Sequence, residues 1–319
     1  MNTTEPVTFF VFEGFKDKHL ILFVIFLTMY VLILGGNCMI IYLVRTDAKL
    51  HSPMYFFLHN LSFSDIIYTS VTIPNMLAGF LIDVKTISKA GCFVQMYFFL
   101  SMAVTGRALL TVMAFDRYLA ICHPLRYTSV MTRSICYSLI FVAWLFGWTI
   151  TIPSFILAML LPFCGPNIVK HIFCDHSSVI RLACTDTSRN NILSLTFALF
   201  ALISTFLLIL TSYICIGKAI SKMGSAERLK AAATCVSHLI VVGISYISAS
   251  CVYISYRVVM FDPDVRLIIA VLYSVLTPLL NPFIYSLRNK ELQCALKRAF
   301  CGSKKTSNIV RKTVLSISL

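Results

Sequence analysis

A few ionisable side chains interrupt the long apolar stretches of this 319-residue chain. Asp65 and Arg107 each lie well inside an apolar stretch, and the triplet Asp116-Arg117-Tyr118 follows directly after one. An ionised side chain at such a depth is costly unless it faces a polar interior or pairs with an opposite charge. We therefore predict an internal polar network, in which Arg107 needs an anion and Asp65 is the nearest intramembrane acid.

Catalytic motifs are not found in the sequence. There is no Walker loop, no Gly-x-Ser-x-Gly nucleophile elbow, no Cys-x-x-Cys pair and no His-Glu-x-x-His metal site. We predict that the protein is not an enzyme and that it uses no cofactor.

Seven apolar stretches must position the charged side chains. Of all residues 58% are hydrophobic and 13% charged, whereas soluble proteins carry about twice that share of charge. A stretch of roughly 20 apolar residues crosses a bilayer. We predict an all-α membrane protein, a seven-transmembrane helix bundle. Its helices cover about 20–44, 54–80, 93–122, 135–161, 192–219, 229–256 and 266–287, and a short amphipathic membrane-surface helix covers 289–301.

The basic residues predict the orientation, because Lys and Arg in short loops tend to stay cytoplasmic. If the N-terminal tail (1–19) is extracellular, most basic residues lie inside, including those of the cytoplasmic tail (302–319). The net charge of +14 then reflects topology and attraction to anionic inner-leaflet lipid, not nucleic-acid binding. We expect the first helix to act as an uncleaved insertion signal, and Asn2 begins a glycosylation tripeptide.

Four of the 12 cysteines are predicted on the oxidising outer side. Cys92 lies at the mouth of the third span, and Cys164, Cys174 and Cys184 lie in the long loop before the fifth. An even external set predicts two disulfides, with three possible pairings. The cross-linked loop would form a lid, or the disulfides would only stabilise the fold. On the cytosolic side, Cys294 and Cys301 are candidates for acylation.

Specific motifs are spread along nearly the whole chain. The most specific segment runs from Met113-Ala-Phe-Asp-Arg-Tyr118 to His123-Pro-Leu-Arg-Tyr127. The others are Gly36-Asn37, Pro53-Met-Tyr-Phe-Phe-Leu58, Phe173-Cys-Asp-His176, Ala183-Cys-Thr-Asp186, Ser212-Tyr213, Lys230-Ala-Ala-Ala-Thr-Cys-Val-Ser-His238 and Pro278-Leu-Leu-Asn-Pro-Phe-Ile-Tyr-Ser-Leu-Arg-Asn289. Together they resemble the odorant receptors, a family of rhodopsin-like G-protein-coupled receptors. The resemblance implies one receptor domain over 1–319.

The resemblance also implies roles for particular residues. It selects Cys92 with Cys174 and Cys164 with Cys184 as the disulfides. It assigns coupling to a G protein and activation to Asp116, Arg117, Tyr118, Tyr213, Lys230, His238, Pro282 and Tyr285. Pro282 would permit the irregularity that brings Tyr285 inward toward Tyr213, although the proline could merely kink its helix. His238 could be an ordinary packing residue.

One position departs from the family. Asn37 and Asn281 supply amide partners for Asp65. Related receptors often hold a sodium ion at such a site, and odorant receptors usually add a Glu from the third helix. Here the matching residue is Gly106, followed by Arg107. We favour a buried Asp65–Arg107 pair in place of sodium, which makes a metal site doubtful. The alternatives are an Arg that is solvated, faces the pocket, or is satisfied by backbone carbonyls.

The family pattern places a ligand pocket in the outer half of the bundle. Its implied lining is Phe99, Leu100, Ala103, Val104, His176, Ser194, Phe197, Ala198, Tyr246, Ser250, Tyr253, Arg257 and Ser274. Arg257 with His176 would clamp an organic acid or amino-acid-like odorant. The favoured alternative is an interfacial Arg257 that snorkels or pairs with Asp262 or Asp264.

The sequence therefore predicts a multi-pass odorant receptor of the plasma membrane, with an extracellular N-terminus and a cytoplasmic C-terminus. The resemblance implies three partners: a small odorant, a stimulatory olfactory-type G protein that raises cyclic AMP, and membrane lipid. The competing hypotheses are a non-olfactory rhodopsin-like receptor and, from another class, a transporter. A transporter predicts inverted repeats, and the two halves of the chain show none.

Overall fold

Seven long helices packed side by side form the body of the protein. The computed structural model describes residues 7–12, 20–81, 85–257 and 263–300, with the backbone alone for 85, 230, 252–257, 263–273 and 288. The long helices are α1 (Leu20–Thr46), α2 (Pro53–Leu81), α3 (Lys89–Cys122), α5 (Arg133–Met159), α7 (Ser188–Ser221), α8 (Ser225–Arg257) and α9 (Pro263–Arg288). Two short helices lie between them, α4 (Pro124–Val130) and α6 (His176–Ile180).

Within the described residues, five helices are long and apolar enough to cross a membrane. They are α1, α3, α5, α7 and α8 up to Cys251. α2 is equally long, but its buried face carries several polar side chains, among them Ser62, Ser64, Asp65, Thr69 and Thr72. These polar groups lower the mean hydropathy of α2. They are tolerated within the bundle because they pack against other helices and not against lipid.

Local sequence signals account for several helix starts. The Ser88 side chain accepts a hydrogen bond from the Gly91 N–H at the start of α3, and Thr132 accepts one from the Ile135 N–H at the start of α5. Pro53 and Pro124 occupy the first positions of α2 and α4, where a missing N–H costs nothing.

A small β-sheet, which the sequence analysis did not predict, lies at the end of the bundle where α3 begins. Its strands are β1 (Phe9–Phe12), β2 (Lys85–Ser88) and β3 (Ile168–Val169), in the order β2-β1-β3. β1 pairs antiparallel with β2 and parallel with β3. The N-terminal segment therefore joins the loop before α3 to the loop before α7.

α3 is the central helix, and it packs against α2, α5, α7 and α8. Close approach of α1 to α9 depends on Gly36, because a Cβ at this position would lie 2.9 Å from Cβ of Pro282. Cβ atoms are not found that close to other carbon atoms without displacement. Gly36 is thus the contact that sets the distance between the first and the seventh membrane helix.

Residues 290–300 form a further helix, α10, after α9. Leu292 is fully buried, whereas Phe300 is exposed, so the predicted apolar face turns from the bundle toward the surface along α10. The Arg298 Nε donates a hydrogen bond of 3.0 Å to Asp47 in the loop after α1. This contact holds the pKa of the Asp47 carboxyl below its usual range.

Candidate ligand cavity and intracellular polar network

A cavity of about 180 Å³ lies in the half of the bundle that is nearest the sheet. One face of α3 supplies five of its lining residues, at helical spacing. The other walls come from α5, α7, α8 and the loop before α7. The lining residues are Phe99, Leu100, Ala103, Val104, Arg107, Ile150, Thr151, Ser154, Asp175, His176, Ser177, Ser194, Phe197, Ala198, Ala201, Leu202 and Ala249.

The segment 160–187, here called the lid, covers this cavity. It is held by the two disulfides that the family resemblance implies, Cys92–Cys174 and Cys164–Cys184. Gln95 of α3 adds a polar tie, because its Oε1 accepts a hydrogen bond of 2.9 Å from the Cys174 N–H. The lid is therefore fastened to α3 both covalently and by hydrogen bonding.

The short helix α6 brings lid side chains to the cavity. The Asp175 carboxylate caps α6 by accepting a hydrogen bond of 3.1 Å from the Ser178 N–H. This geometry places Asp175, His176 and Ser177 on the cavity wall. A second lid histidine, His171, is buried against the Phe173 ring, and burial lowers its pKa below the usual range.

Eight of the thirteen predicted pocket residues line the cavity. These are Phe99, Leu100, Ala103, Val104, His176, Ser194, Phe197 and Ala198. Tyr246, Ser250 and Ser274 are not in the lining: the Tyr246 hydroxyl donates 2.8 Å to Thr205 Oγ1, Ser250 is exposed, and Ser274 is buried. The side chains of Tyr253, Arg257 and Lys230 lie outside the described residues, as do Asn2 and Cys301.

Asp65 and Arg107 line the same small intramembrane cavity of about 40 Å³, together with Gly106 and Asn281. Asp65 accepts a hydrogen bond of 2.8 Å from the Asn281 amide, and Asn37 donates 3.2 Å to the Pro278 carbonyl. A direct Asp65–Arg107 ion pair stays a prediction.

At the opposite end of the bundle, Asp116 and Arg117 form an ion pair on α3. Asp116 is fully buried, and its Oδ1 also accepts a hydrogen bond of 2.7 Å from the Tyr127 hydroxyl of α4. Burial, with Asp116 beside it, raises the pKa of the Tyr127 hydroxyl above its usual range. The Tyr118 hydroxyl lies 3.1 Å from Nε2 of His123.

His238 links three helices near this ion pair. Its Nε2 lies 3.0 Å from the Leu110 carbonyl of α3, and its Nδ1 lies 2.8 Å from the Tyr213 hydroxyl of α7. A carbonyl only accepts, so in the neutral ring Nε2 carries the hydrogen and Nδ1 accepts from Tyr213. Tyr213 is thus paired with His238, and within the described residues the buried Tyr285 hydroxyl has no hydrogen-bond partner.

A second cavity, of about 510 Å³, opens beside these groups. Arg117, His238 and Tyr285 line it, together with residues of α2, α8 and the start of α10. The two cavities therefore lie at opposite ends of the bundle, and α3 contributes an Arg to each. Within the described part of the chain, no group of three or more His, Cys, Asp or Glu side chains is placed to hold a metal ion.

Comparisons with known proteins identify the family. The family model for the olfactory receptor matches residues 26–303 of this chain. The chain belongs to the olfactory receptor family. Olfactory receptor 6N1 of Homo sapiens is 45% identical over 90% of this chain and 92% of its own. Olfactory receptor 10T2 of Homo sapiens is 45% identical over 93% of this chain and 95% of its own.

The fold of this olfactory receptor is similar to that of squid rhodopsin. The crystal structure of that protein matches with a TM-score of 0.67 and 18% identity, over 88% of this chain and 85% of the other. The predicted seven-helix bundle is confirmed, and so is the predicted family. The protein is a multi-pass membrane receptor and not an enzyme, and its family implies an odorant ligand and a G protein.

Sequence reasoning missed nine residues of the cavity lining of this olfactory receptor. They are Arg107, Ile150, Thr151, Ser154, Asp175, Ser177, Ala201, Leu202 and Ala249. Arg107 was considered for the pocket, but it was assigned to Asp65. The fourth membrane helix, α5, was not considered at all. Thr151 and Ser154 lie about one helical turn apart, and this polar pair on one helix face is a signal that would have pointed to an inward face.

Proposed function

We propose that this receptor binds a small odorant in the cavity of about 180 Å³ and, from the opposite end of the bundle, activates a stimulatory olfactory-type G protein that raises cyclic AMP. The observation that carries the proposal is the pair of cavities, one under a disulfide-bound lid and one beside Arg117, connected by the same helix α3. The family supports the identity of both partners.

The chemistry of the outer cavity suits a small, poorly soluble molecule. Its walls are mainly apolar and aromatic, with Phe99, Val104, Phe197 and Leu202 as the larger side chains. Two hydroxyl groups in the lining already donate to backbone carbonyls, Ser194 to Asn191 and Thr151 to Gly147. Such a pocket binds its ligand mainly by burial of apolar surface, and a few polar groups orient it.

The orientation of the receptor in the membrane follows from the location of its disulfides and of its basic residues. Disulfides persist on the oxidising side of a membrane, and both are in the lid or at its junction with α3. Basic residues are concentrated at the other end. We therefore place the lid and the N-terminus outside the plasma membrane, and α10 with the C-terminus in the cytoplasm, where the helix lies against lipid.

The contacts around Arg117 suggest how the two cavities communicate. At rest Asp116 and Tyr127 hold the α3–α4 junction, while His238 ties α8 to α3 and α7. A ligand shifts such a two-state equilibrium by binding one state more tightly. We propose that an odorant favours a state in which α8 has left this contact and Arg117 is open to the G protein.

The test is cyclic AMP in cells that express the receptor, screened with pools of acids, amino acids, alcohols, aldehydes and amines. Ala198→Trp fills the cavity and should abolish the response, whereas Leu199→Trp, at the neighbouring exposed position, should keep it. Arg117→Ala should abolish signalling from the other end. A response that survives Ala198→Trp at wild-type potency would show that the odorant binds elsewhere.

A further inference from the structure

β1 is the middle strand of the small sheet, and it connects the lid to α3. On one side it pairs with β2, which leads directly into α3 at Lys89, and on the other side it pairs with β3 of the lid. Backbone hydrogen bonds continue past the sheet, because the Lys89 N–H donates 2.9 Å to the Thr8 carbonyl and the Val11 N–H donates 2.8 Å to the Asn167 carbonyl. Since β2 and β3 lie on opposite sides of β1, this strand bridges them.

The side chains of β1 alternate between two environments. Phe10 is fully buried, whereas its neighbour Phe9 is 47% exposed. The Phe10 ring contacts the Phe163 ring of the lid edge-on, with the ring centroids 5.6 Å apart. Phe10 also belongs to one apolar cluster with Val179 and Ile180 of α6. The inner face of β1 therefore packs in the same core as α6.

The two disulfides fix only one end of α6. Cys92–Cys174 anchors the lid just before the cap of α6, and Cys164–Cys184 joins the lid to itself. Val179 and Ile180, at the other end of α6, are buried by apolar packing. Removal of a large aromatic ring from such a cluster costs more stability than the loss of a single hydrogen bond. The position of α6 therefore depends in large part on Phe10.

α6 and its cap bring the polar side chains of the lid to the outer cavity. Asp175, His176 and Ser177 line the cavity from this side. In a mainly apolar pocket, a few such polar groups orient the ligand, and a displacement of about 1 Å is enough to weaken their contacts. A shift of α6 would therefore lower the affinity for a ligand, and it would also open a path into the cavity from the lid side.

We propose that Phe10 is a positioning residue of the odorant cavity, and that β1 is a strap that holds α6 and the lid over this cavity. Phe10 acts through the core that it shares with Val179 and Ile180, and it does not touch the ligand. The inference rests on the proposed function for its ligand, but the closure of the lid can be measured without one.

The first test measures access to the cavity and needs no odorant. Ala198→Cys places a thiol on the cavity wall, and a membrane-impermeant methanethiosulfonate with a quaternary ammonium group labels this thiol from outside intact cells. The full-length receptor without the introduced cysteine supplies the background, and each labelling rate is divided by surface expression. Phe10→Ser should raise the labelling rate at least about tenfold, because it removes the ring that holds α6.

Phe9→Ser is the matched control, because it makes the same change on the exposed face of the same strand. It should leave the labelling rate unchanged. Phe10→Leu keeps an apolar side chain in the cluster and should restore most of the protection. Asn167→Ala removes only the hydrogen bond of 3.0 Å that the Asn167 amide donates to the Phe9 carbonyl, so the rate should rise about two- to fivefold.

The second test measures the potency of the most potent compound found in the odorant pools, by cyclic AMP from the full-length receptor. Phe10→Ser should raise the half-maximal concentration at least about tenfold. The maximal response and the basal signal per surface receptor should stay unchanged, because Arg117 and His238 lie at the opposite end of the bundle. A general loss of folding would instead lower surface expression and the maximal response together.

An unchanged labelling rate in Phe10→Ser, or an equal rise in Phe9→Ser, would overturn the inference. If Phe10→Ser does not reach the surface, Asn167→Ala decides, and an unchanged rate in that variant overturns the inference as well. Faster labelling with unchanged odorant potency would also overturn it, because α6 would then not shape the site. Activation by odorants with unchanged labelling leaves the proposed function standing without the strap. Faster labelling in a receptor that responds to no odorant supports the strap and refutes the proposed function.

Discussion

The contact of His238 with Leu110 and Tyr213 predicts a rise in basal signalling when the contact is removed. His238 of α8 is buried and makes one hydrogen bond to α3 and one to α7. If both bonds are specific to the resting state, His238→Phe removes them while it keeps an aromatic ring of similar size. The perturbation should therefore act on the equilibrium between states more than on the packing of the helices.

The magnitude follows from the number of bonds lost. A neutral hydrogen bond contributes about 1 kcal/mol net, so two bonds contribute about 2 kcal/mol, or roughly a 30-fold change in the equilibrium constant. If the active state of the wild type is populated to about 1%, His238→Phe raises it to about 20%, and Tyr213→Phe, which removes one bond, raises it to about 5%. Basal activity should rank His238→Phe, Tyr213→Phe, wild type.

The assay is cyclic AMP without ligand, divided by surface expression. Ser101→Ala is the matched control, because the Ser101–Thr151 contact of 2.8 Å is also a buried polar contact between helices, but it joins α3 to α5. It should not raise basal activity. Basal activity of His238→Phe within twofold of the wild type, or an equal rise in Ser101→Ala, would refute the reasoning.

Two further predictions concern packing and pH. Gly36→Ala should lower the free energy of unfolding by about 1–3 kcal/mol, and with it surface expression, because the new Cβ would lie 2.9 Å from Pro282 Cβ. Gly35→Ala is the control and should be harmless, because no atom lies within 4 Å of its new Cβ. Equal losses in both variants would contradict this prediction. In the lid, the buried His171 accepts a hydrogen bond of 3.3 Å from the Phe173 N–H, and burial lowers the pKa of His171. The neutral ring is thus favoured in the folded lid, so its stabilisation is present above the usual histidine pKa of about 6.5 and is lost as pH falls below it, with Asp175 opposing part of the loss. Hydrogen exchange of the Phe173 amide should accelerate between about pH 7 and pH 5.5 relative to exposed lid amides, and His171→Gln should abolish that change; the same acceleration in His171→Gln would assign it to another group.

Much of the fold could be predicted because the determining signals are local. Membrane spans follow from composition over roughly 20 residues, and helix starts follow from single capping residues such as Ser88, Thr132 and Asp175. The location of the four outer cysteines followed from the same spans, although the family resemblance alone selected their pairing. β1 was not predicted, because its partners are distant in sequence and a four-residue strand has no periodicity of its own.

Only part of the candidate site could be predicted from the sequence. Hydropathy determines that a segment crosses the membrane, but the rotation and tilt of each helix decide which side chains face the interior, and these depend on packing against neighbouring helices. The sequence by itself determined that Asp65 and Arg107 share the apolar interior. Only the tertiary structure decided that the Asn281 amide donates to the Asp65 carboxylate and that Arg107 lines the outer cavity. The reason is that the sequence sets the depth of these charges in the membrane, but not the direction in which each side chain points.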